Sequence, residues 1–267
     1  MALRVSIGQY YSADSPIHRL DPRVKLVATI VYMVSCFFVF NAATLALAAA
    51  AVAAAVAAAR VPLARLVSQV RPILLFLIVT SLFNLFFVRT GAIVLAAGPV
   101  TIHAGGVSAA VLYTVRFFLL LMGGSLLMLV TTPTALCDAF ERLFKPLEGL
   151  GAPITQVALI LSIALRFVPT LAQEADNVLA AQTARGADIE GKGAIAYARA
   201  CVPLIVPLFA SALRHADNLG RAMDARCYTG GAGRTHYHVL RLRPRRDLPF
   251  MAAVAAYLVA LAALSLL

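Results

Sequence analysis

The chain carries no Asp, Glu, Lys or Arg between Leu26 and Ala59, where it reads LVATIVYMVSCFFVFNAATLALAAAAVAAAVAAA. As a single helix these 34 residues would be about 51 Å long, at 1.5 Å per residue. One membrane crossing needs only about 20 apolar residues. The stretch therefore predicts a hairpin of two membrane spans, at 24–41 and 43–60, with its turn near Asn41.

The composition of the whole chain also indicates a membrane protein. Of its 267 residues, 61% are hydrophobic and 13% are charged, whereas a typical globular domain is about 45–50% apolar. This excess excludes an ordinary soluble domain, and it excludes a disordered chain because disorder requires low hydrophobicity. The 23 Lys and Arg outnumber the 12 Asp and Glu. A basic, apolar chain of this kind indicates an inner-membrane protein in a lipid bilayer. A nucleic-acid partner is not expected, because nucleic-acid binders carry their positive charge on a polar surface.

Three further apolar segments predict membrane spans, at 72–88, 107–130 and 248–267. Together with the hairpin they predict an all-α polytopic membrane protein with about five or more transmembrane helices. The glycine-rich segment 91–106 predicts a loop or a short re-entrant piece. Arg116 interrupts the fourth span, so we expect it either to pair with a helix end or a partner, or to lie near the outer surface.

The charges concentrate between Thr132 and Asp247, which hold 14 of the 23 basic and 10 of the 12 acidic residues. This predicts three domains: an N-terminal membrane domain at 1–131 with about four spans, a cytoplasmic helical module at 132–247, and a C-terminal transmembrane helix at 248–267. Basic residues precede span one and fill the loop between spans two and three. Because cytoplasmic loops are rich in Lys and Arg, we expect the N-terminus and the module inside and the C-terminus outside.

The module predicts a short helix at 134–148 and two long amphipathic helices, at 153–185 and 194–226. Prolines inside the long helices, at positions 169, 203 and 207, predict kinks. The threonines before the short helix are candidate N-caps.

Both long helices end on Ala-Arg followed by a small residue; the two sets are Ala184, Arg185, Gly186 and Ala225, Arg226, Cys227. Gly186 suits the left-handed position that closes a helix. A terminal arginine would stabilise the negative end of the helix dipole. Alternatively, both ends present an arginine to a partner protein, because a guanidinium forms several fixed hydrogen bonds with carboxylates and carbonyls. The recurrence of the same ending favours partner binding.

Five segments in chain order resemble the transmembrane T component of energy-coupling factor (ECF) transporters, the EcfT/CbiQ-like family. They are His18–Leu26, Thr131–Pro133, Ala164–Pro169, Ala181–Gly186 and Ala222–Tyr228. The resemblance implies an ATP-driven micronutrient importer of the prokaryotic cell membrane, in which two cytoplasmic coupling helices bind two ABC-type ATPase subunits through their motif arginines. Those arginines correspond to Arg185 and Arg226.

The resemblance also implies a substrate-binding S component in the membrane and ATP hydrolysis in the partner subunits. This chain is then not an enzyme, and it has no catalytic residues and no cofactor. Its second motif has Cys227 where the family usually has Gly, Ser or Ala.

Other patterns indicate no chemistry of the chain's own. Gly186-x4-Gly191-Lys192-Gly193 is close to a phosphate-binding loop, but it lacks the Ser or Thr that holds magnesium and it follows a helix. His236-x-His238 lacks a third metal ligand, so no metal site is expected. The basic run Arg241–Arg246 predicts a positive anchor before span five. The four widely spaced cysteines are expected to be packing residues.

Two alternative functions remain. A self-contained secondary carrier would need acidic or polar groups at membrane depth, and the segments 26–59, 72–88 and 248–267 contain no acidic residue. A membrane enzyme would need a catalytic carboxylate, histidine or cysteine cluster at an interface, and the sequence shows none.

Overall fold

A computed structural model describes residues 10–97, 100–186, 194–230 and 242–266. Within these residues the chain forms eight α-helices, one 3₁₀ helix and one two-stranded hairpin. In chain order they are α1 (Pro22–Cys36), α2 (Ala42–Ala59), α3 (Leu63–Phe87), β1 (Ile93–Ala97), β2 (Val100–His103), α4 (Ala104–Val130), α5 (Pro133–Phe144), the 3₁₀ helix (Lys145–Leu150), α6 (Ile154–Ala184), α7 (Ala194–Ala225) and α8 (Pro244–Leu266).

The described residues divide into two compact units. The larger unit comprises residues 10–139 and 242–266, with α1 to α4, the β hairpin and α8. The smaller unit comprises residues 140–230, with the 3₁₀ helix, α6 and α7. The division falls within α5, which begins where the Thr132 hydroxyl accepts a hydrogen bond from the Ala135 amide at 3.3 Å. Thr132 is therefore the N-cap of α5, one of the predicted candidates.

Five helices of the described chain, α2, α3, α4, α6 and α8, are long and apolar enough to cross a membrane. The predicted all-α polytopic membrane fold is confirmed. The set differs from the predicted spans at two places. Helix α1 has 15 residues and a length of about 22 Å, less than the ~30 Å hydrocarbon core. Helix α6, expected in the module, has the length and apolarity of a membrane helix.

The third span is longer than predicted, and the prediction of a loop filled with basic residues before it is wrong. Only residues 60–62 connect α2 to α3, and Arg65, Arg71 and Pro72 all lie inside α3. The prediction ended the span at its last charge. A helix continues past such residues when its charged side chains remain exposed, as those of Arg65 and Arg71 do.

The glycine-rich segment 91–106 contains an antiparallel hairpin of β1 and β2, with an irregularity in register between Ile93 and Leu95. The loop prediction missed these short strands. Beyond the hairpin, α3 and α4 pack closely at Gly106, where a Cβ atom would lie 2.7 Å from the Leu85 carbonyl oxygen. Any side chain at Gly106 would force these two helices apart.

The core of the larger unit is formed mainly by α2, α3 and α4, with Leu261 of α8, and its most buried large side chains include Leu66, Leu129 and Val70. Helices α1 and α4 meet at Gly123, where a Cβ atom would come within 2.7 Å of the Tyr32 ring. Small residues permit such close helix packing within lipid. The two helices are therefore fixed at this level by a glycine under an aromatic ring.

The segment before α1 gathers several helix ends at one end of the larger unit. The Tyr11 amide donates to the Leu129 carbonyl at 2.9 Å, and the buried Lys25 ammonium donates to the carbonyls of His18 and Val130 at 2.8 and 3.3 Å. The bonds to Leu129 and Val130 satisfy carbonyls at the end of α4. A cation is favourable there because the helix dipole is negative at its C-terminus.

The same segment also contacts the ends of α2, α3 and α8. The Asp247 carboxylate, at the start of α8, accepts the Asp21 amide at 3.3 Å. The Arg60 guanidinium, just after α2, donates to the Asp14 carbonyl at 3.5 Å, and the Arg65 guanidinium lies 4.5 Å from the centre of the Tyr11 ring. Five helix ends and most basic residues of the larger unit therefore share one end.

His18 in this segment makes contacts at both ring nitrogens. Its Nε2 donates to the Tyr11 carbonyl at 2.9 Å and its Nδ1 lies 2.6 Å from the Ser15 hydroxyl. Partial burial, and then the nearby Lys25 charge, lower the pKa of His18. A neutral imidazole, which donates at one nitrogen and accepts at the other, is compatible with this pair of contacts.

Arg116 pairs with a helix end, one of the two outcomes that its position predicts. Its Nη2 donates to the Phe37 carbonyl at 2.6 Å, and Phe37 is the C-cap of α1. The guanidinium carbon also lies 5.2 and 5.8 Å from the ring centres of Phe37 and Phe40. Arg116 therefore satisfies a terminal carbonyl at the point where α1 ends, five residues earlier than the predicted first span.

Replacing Arg116 by Leu should destabilise the larger unit by about 2 kcal/mol, because it removes a hydrogen bond from a charged donor and leaves the Phe37 carbonyl unpaired. Since the chain has no Trp, thermal unfolding in detergent can be followed with a thiol-reactive dye at the buried Cys36 and Cys137. Arg89→Leu is the control, because Arg89 is exposed. Equal midpoints for the two variants would contradict this role for Arg116.

Candidate coupling site at two helix ends

Helix α6 ends at the first predicted motif. Arg185 is its C-cap, and the Arg185 amide donates to the carbonyls of Ala181 and Gln182 at 3.2 and 3.1 Å. The Gly186 amide then donates to the Thr183 carbonyl at 2.9 Å. Gly186 has φ of +85°, which confirms the predicted left-handed position. Glycine adopts this conformation without the steric cost that a Cβ atom brings.

Helix α7 ends in the same way at the second motif. The Cys227 amide donates to the Asp224 carbonyl at 2.9 Å, and the Tyr228 amide donates to the Met223 carbonyl at 3.1 Å. This pair of bonds is the Schellman motif. Its left-handed residue is Cys227, with φ of +54°. A non-glycine residue in this conformation carries a strain of about 1 kcal/mol.

The two ends therefore share one backbone design, in which an arginine at the cap precedes a left-handed residue. Cys227 is exposed, unlike the buried Cys36 and Cys137, so the expectation that all four cysteines are packing residues is wrong for Cys227. The position after each arginine is selected by backbone conformation, and glycine meets that requirement better than cysteine.

Both motif arginines are exposed, as are the alanines before them. Neither the Arg185 nor the Arg226 guanidinium forms a hydrogen bond or ion pair with a residue that the structure describes. Each guanidinium has five N–H donors in a planar fork. These donors are free to bind carboxylates or carbonyls of another protein, and the small neighbouring residues leave room for its backbone.

A polar contact that the sequence did not predict joins α6 to α7. The Oε1 atom of Glu174 accepts hydrogen bonds from the Ser211 hydroxyl at 2.8 Å and from Nε2 of His215 at 2.9 Å. The His215 ring also lies 5.7 Å from the Phe167 ring, centre to centre. Ser211 and His215 are four residues apart, so they lie on one face of α7. The sequence shows this spacing of Ser211 and His215, but it does not show that Glu174 is the residue that both contact.

The Glu174 contact lies at the same distance along the chain from each motif arginine. Arg185 follows Glu174 by 11 residues, and Arg226 follows His215 by 11 residues. At 1.5 Å per residue each intervening helix segment is about 16 Å long. The helix segments between this contact, which we call the Glu174 joint, and the two motif arginines are therefore equal in length.

The backbone strain at Cys227 can be tested against Gly186. Cys227→Gly should slow hydrogen exchange at the Tyr228 amide about fivefold, because it relieves about 1 kcal/mol of strain. Gly186→Ala should speed exchange at the Arg185 amide by a similar factor. Cys227→Ala keeps the strain and should leave exchange unchanged. If Cys227→Gly and Cys227→Ala behave alike, the conformational explanation fails.

The contribution of the Glu174 joint can also be tested by hydrogen exchange. Glu174→Ala removes the acceptor shared by Ser211 and His215, so we expect exchange of the amides near these residues to rise severalfold, because this contact joins the two helices. Gln173→Ala, at the exposed neighbouring position, is the matched control. No difference between the two variants would show that packing alone holds α6 against α7.

Some of the other predicted features lie outside the described residues or have no described side chain. The glycine-rich stretch beyond Gly186 and the His236-x-His238 pair lie outside the described residues, and Cys201 has no described side chain. Pro169, Pro203 and Pro207 all lie inside continuous helices. Within the described ranges, no group of three or more His, Cys, Asp and Glu side chains is placed to hold a metal ion.

Comparison with known proteins places these features in a family. Residues 13–237 match the CbiQ family, described as "Cobalt transport protein". Two relatives, from Thermosediminibacter oceani and Brevibacillus brevis, carry the name "Energy-coupling factor transporter transmembrane protein EcfT". The first is 39% identical over 89% of this chain and 89% of its own length. The second is 35% identical over 97% of this chain and 98% of its own length.

A third relative is much longer than this chain. A Bifidobacterium longum protein named "Putative ABC transporter ATP-binding protein" is 46% identical over 94% of this chain, which spans only 32% of that relative's length. The EcfT relatives match most of the chain, and the family match includes both helix ends with their arginines. The chain belongs to the EcfT/CbiQ family of transmembrane components of energy-coupling factor transporters.

Proposed function

We propose that this chain transmits ATP-driven movements of two ABC-type ATPase subunits to a substrate-binding S component in the membrane. In this proposal α6 and α7 are the coupling helices, and Arg185 and Arg226 each bind one ATPase. The chain performs no ATP hydrolysis itself. The observation that carries the proposal is the pair of exposed arginines on two helix ends with the same backbone design.

The geometry of the two ends suits such binding. A helix C-terminus exposes its last carbonyls, so a partner meets both hydrogen-bond acceptors and a guanidinium at the same place. Residues 184–186 and 225–227 carry side chains no larger than cysteine around each arginine. A groove on an ATPase surface would therefore enclose the arginine without a steric obstacle from its neighbours.

Two equal sites fit two ATPase subunits. Because Glu174 joins α6 and α7 at points equally far from the arginines, a change in the separation of two bound ATPases would be transmitted to this joint. Helices that shift as rigid elements need only small differences in energy between their arrangements. The Bifidobacterium longum relative supports a partnership of this kind, since a region similar to this chain forms part of a protein named for ATP binding.

The proposed orientation follows from the charge distribution. The N-terminus, the basic end of the larger unit and the helix ends bearing Arg185 and Arg226 lie in the cytoplasm, and the C-terminus lies outside. In this orientation α6 does not cross the membrane, although its length and apolarity would allow it to. The S component would then pack on the membrane helices. Their long apolar side chains include exposed ones on α3, such as Leu75, Phe76 and Phe87.

Charge reversal of the arginines tests the proposal. Arg226→Glu should reduce co-purification of the ATPases more than tenfold, because a central arginine in an interface contributes 2 kcal/mol or more. Arg185→Glu should behave alike, and the double variant should abolish coupled ATPase activity. Quantitative blotting of the purified complex measures the ATPases, and membrane fractionation confirms that the chain still inserts.

The matched control is Arg221→Glu, an exposed arginine on the same helix, five residues before Arg226. It makes the same change in charge and should leave co-purification within twofold of the unaltered chain. Full substrate uptake by the double variant would refute the assignment of the arginines. Solute transport by the chain alone in liposomes, driven by an ion gradient, would instead support a self-contained secondary carrier.

A further inference from the structure

A large groove in the larger unit has a volume of about 1050 Å³. It is lined by α1, α2, α4 and α8 and by the segment before α1. Small-molecule sites in proteins commonly have volumes of about 300–1,000 Å³. The groove is therefore large enough for a sizeable ligand, and nothing in the proposed coupling mechanism uses it.

The charged residues of the groove belong to one end of the unit. Four basic side chains and one acidic side chain line it: Arg19, Lys25, Arg60, Arg246 and Asp14. All five lie beside the helix ends that the segment before α1 brings together. The lining therefore has a net positive charge at this end.

Two of the four cations have strong partners already. Nε of Arg19 donates to the Asp14 carboxylate at 2.7 Å, and Lys25 donates to two backbone carbonyls. Arg60 makes one long contact, at 3.5 Å, with a carbonyl. The Arg246 side chain makes no hydrogen bond or ion pair with any of the residues described. Two guanidinium groups in the lining thus retain most of their donors.

Among the residues described, neither of these two arginines forms an ion pair with a carboxylate. Asp247 accepts the backbone amides of Asp21 and Arg243, at 3.3 and 2.6 Å. Asp21 accepts the Arg23 amide at 2.9 Å. Neither Asp21 nor Asp247 lines the groove. Arg60 and Arg246 are exposed, and most of their guanidinium donors are available to an anionic ligand.

Away from this end the groove is apolar. Helix α2 lines it from Leu47 to its C-terminal end, and exposed alanines recur there at every fourth position: Ala50, Ala54 and Ala58. Helix α8 lines it with Phe250, Ala253 and Val254, among others. The stretch of α2 is about 20 Å long, which exceeds the ~15 Å depth of one leaflet of the hydrocarbon core. The alanines leave space for a long, narrow apolar group.

We propose that the groove binds one anionic phospholipid, with its phosphate at Arg60 and Arg246 and an acyl chain along the alanine face of α2. A phosphate suits the two arginines because guanidinium groups bind it through paired hydrogen bonds. A single molecule with an anionic head and an apolar tail matches both the charged end and the alanine wall. Basic pockets between membrane helices bind lipid headgroups in this manner.

Native mass spectrometry of the full chain in detergent tests the proposal. The chain is titrated with palmitoyl-oleoyl phosphatidylglycerol, and with phosphatidylcholine that carries the same acyl chains. We expect one phosphatidylglycerol to be retained in preference to phosphatidylcholine. Arg246→Gln should weaken phosphatidylglycerol binding about fivefold, since a basic residue near an anionic lipid contributes about 1 kcal/mol. Arg245→Gln is the matched control, because Arg245 is adjacent, exposed and outside the lining.

A second pair of variants tests the acyl chain. Ala54→Leu fills the groove and should also weaken phosphatidylglycerol binding severalfold, whereas Ala53→Leu, an exposed position outside the lining, should not. Soluble glycerol phosphate should bind far more weakly than the lipid and should be insensitive to Ala54→Leu.

Three results would overturn the proposal. The first is equal retention of the two lipids, and the second is equal behaviour within each pair of variants. The third is binding of glycerol phosphate as strong as that of the lipid, which would identify a free anion site. If neither lipid is retained, a protein segment would be the better candidate for the groove.

Discussion

The proposed coupling depends on the hydrogen bonds that the carboxylate of Glu174 accepts from α7. This carboxylate joins α6 to α7 through Ser211 and His215, and each motif arginine lies 11 residues beyond the joint. A charged acceptor between two helices binds its donors more strongly than a neutral one. Without a fixed joint, a force applied at Arg185 or Arg226 would move one helix end and leave the other in place.

The larger unit consists of several short and long helices that must assemble in an apolar solvent. A few polar contacts at one end hold them together, with Lys25 at the end of α4, Asp247 between α1 and α8, and Arg60 against the segment before α1. Each contact satisfies a backbone N–H or C=O group beside a helix end. The same contacts collect positive charge on one side, which sets the expected orientation and produces the basic end of the groove.

Local chemistry determined how much the sequence could predict. The apolar runs identified α2, α4 and α8, and Gly186 identified the end of α6, because composition and glycine act within a few residues. The length of α1 was not predictable, since its end depends on Arg116, 79 residues away from Phe37. The Glu174 joint was missed for the same reason. Cys227 was expected to be a packing residue because free cysteine usually behaves as a small apolar side chain, whereas its position at a helix end leaves it exposed and left-handed.

Contact of both helix ends with ATPases is the central claim, and site-specific photo-cross-linking in intact membranes measures it most directly. A photo-reactive amino acid would replace Arg185 or Arg226 in turn, with the exposed position 173 on α6 as the reference. Coupling through both ends predicts cross-links to an ABC-type ATPase from each arginine position and none from position 173. Cross-links to lipid alone, or to an ATPase from only one of the two positions, would contradict the account.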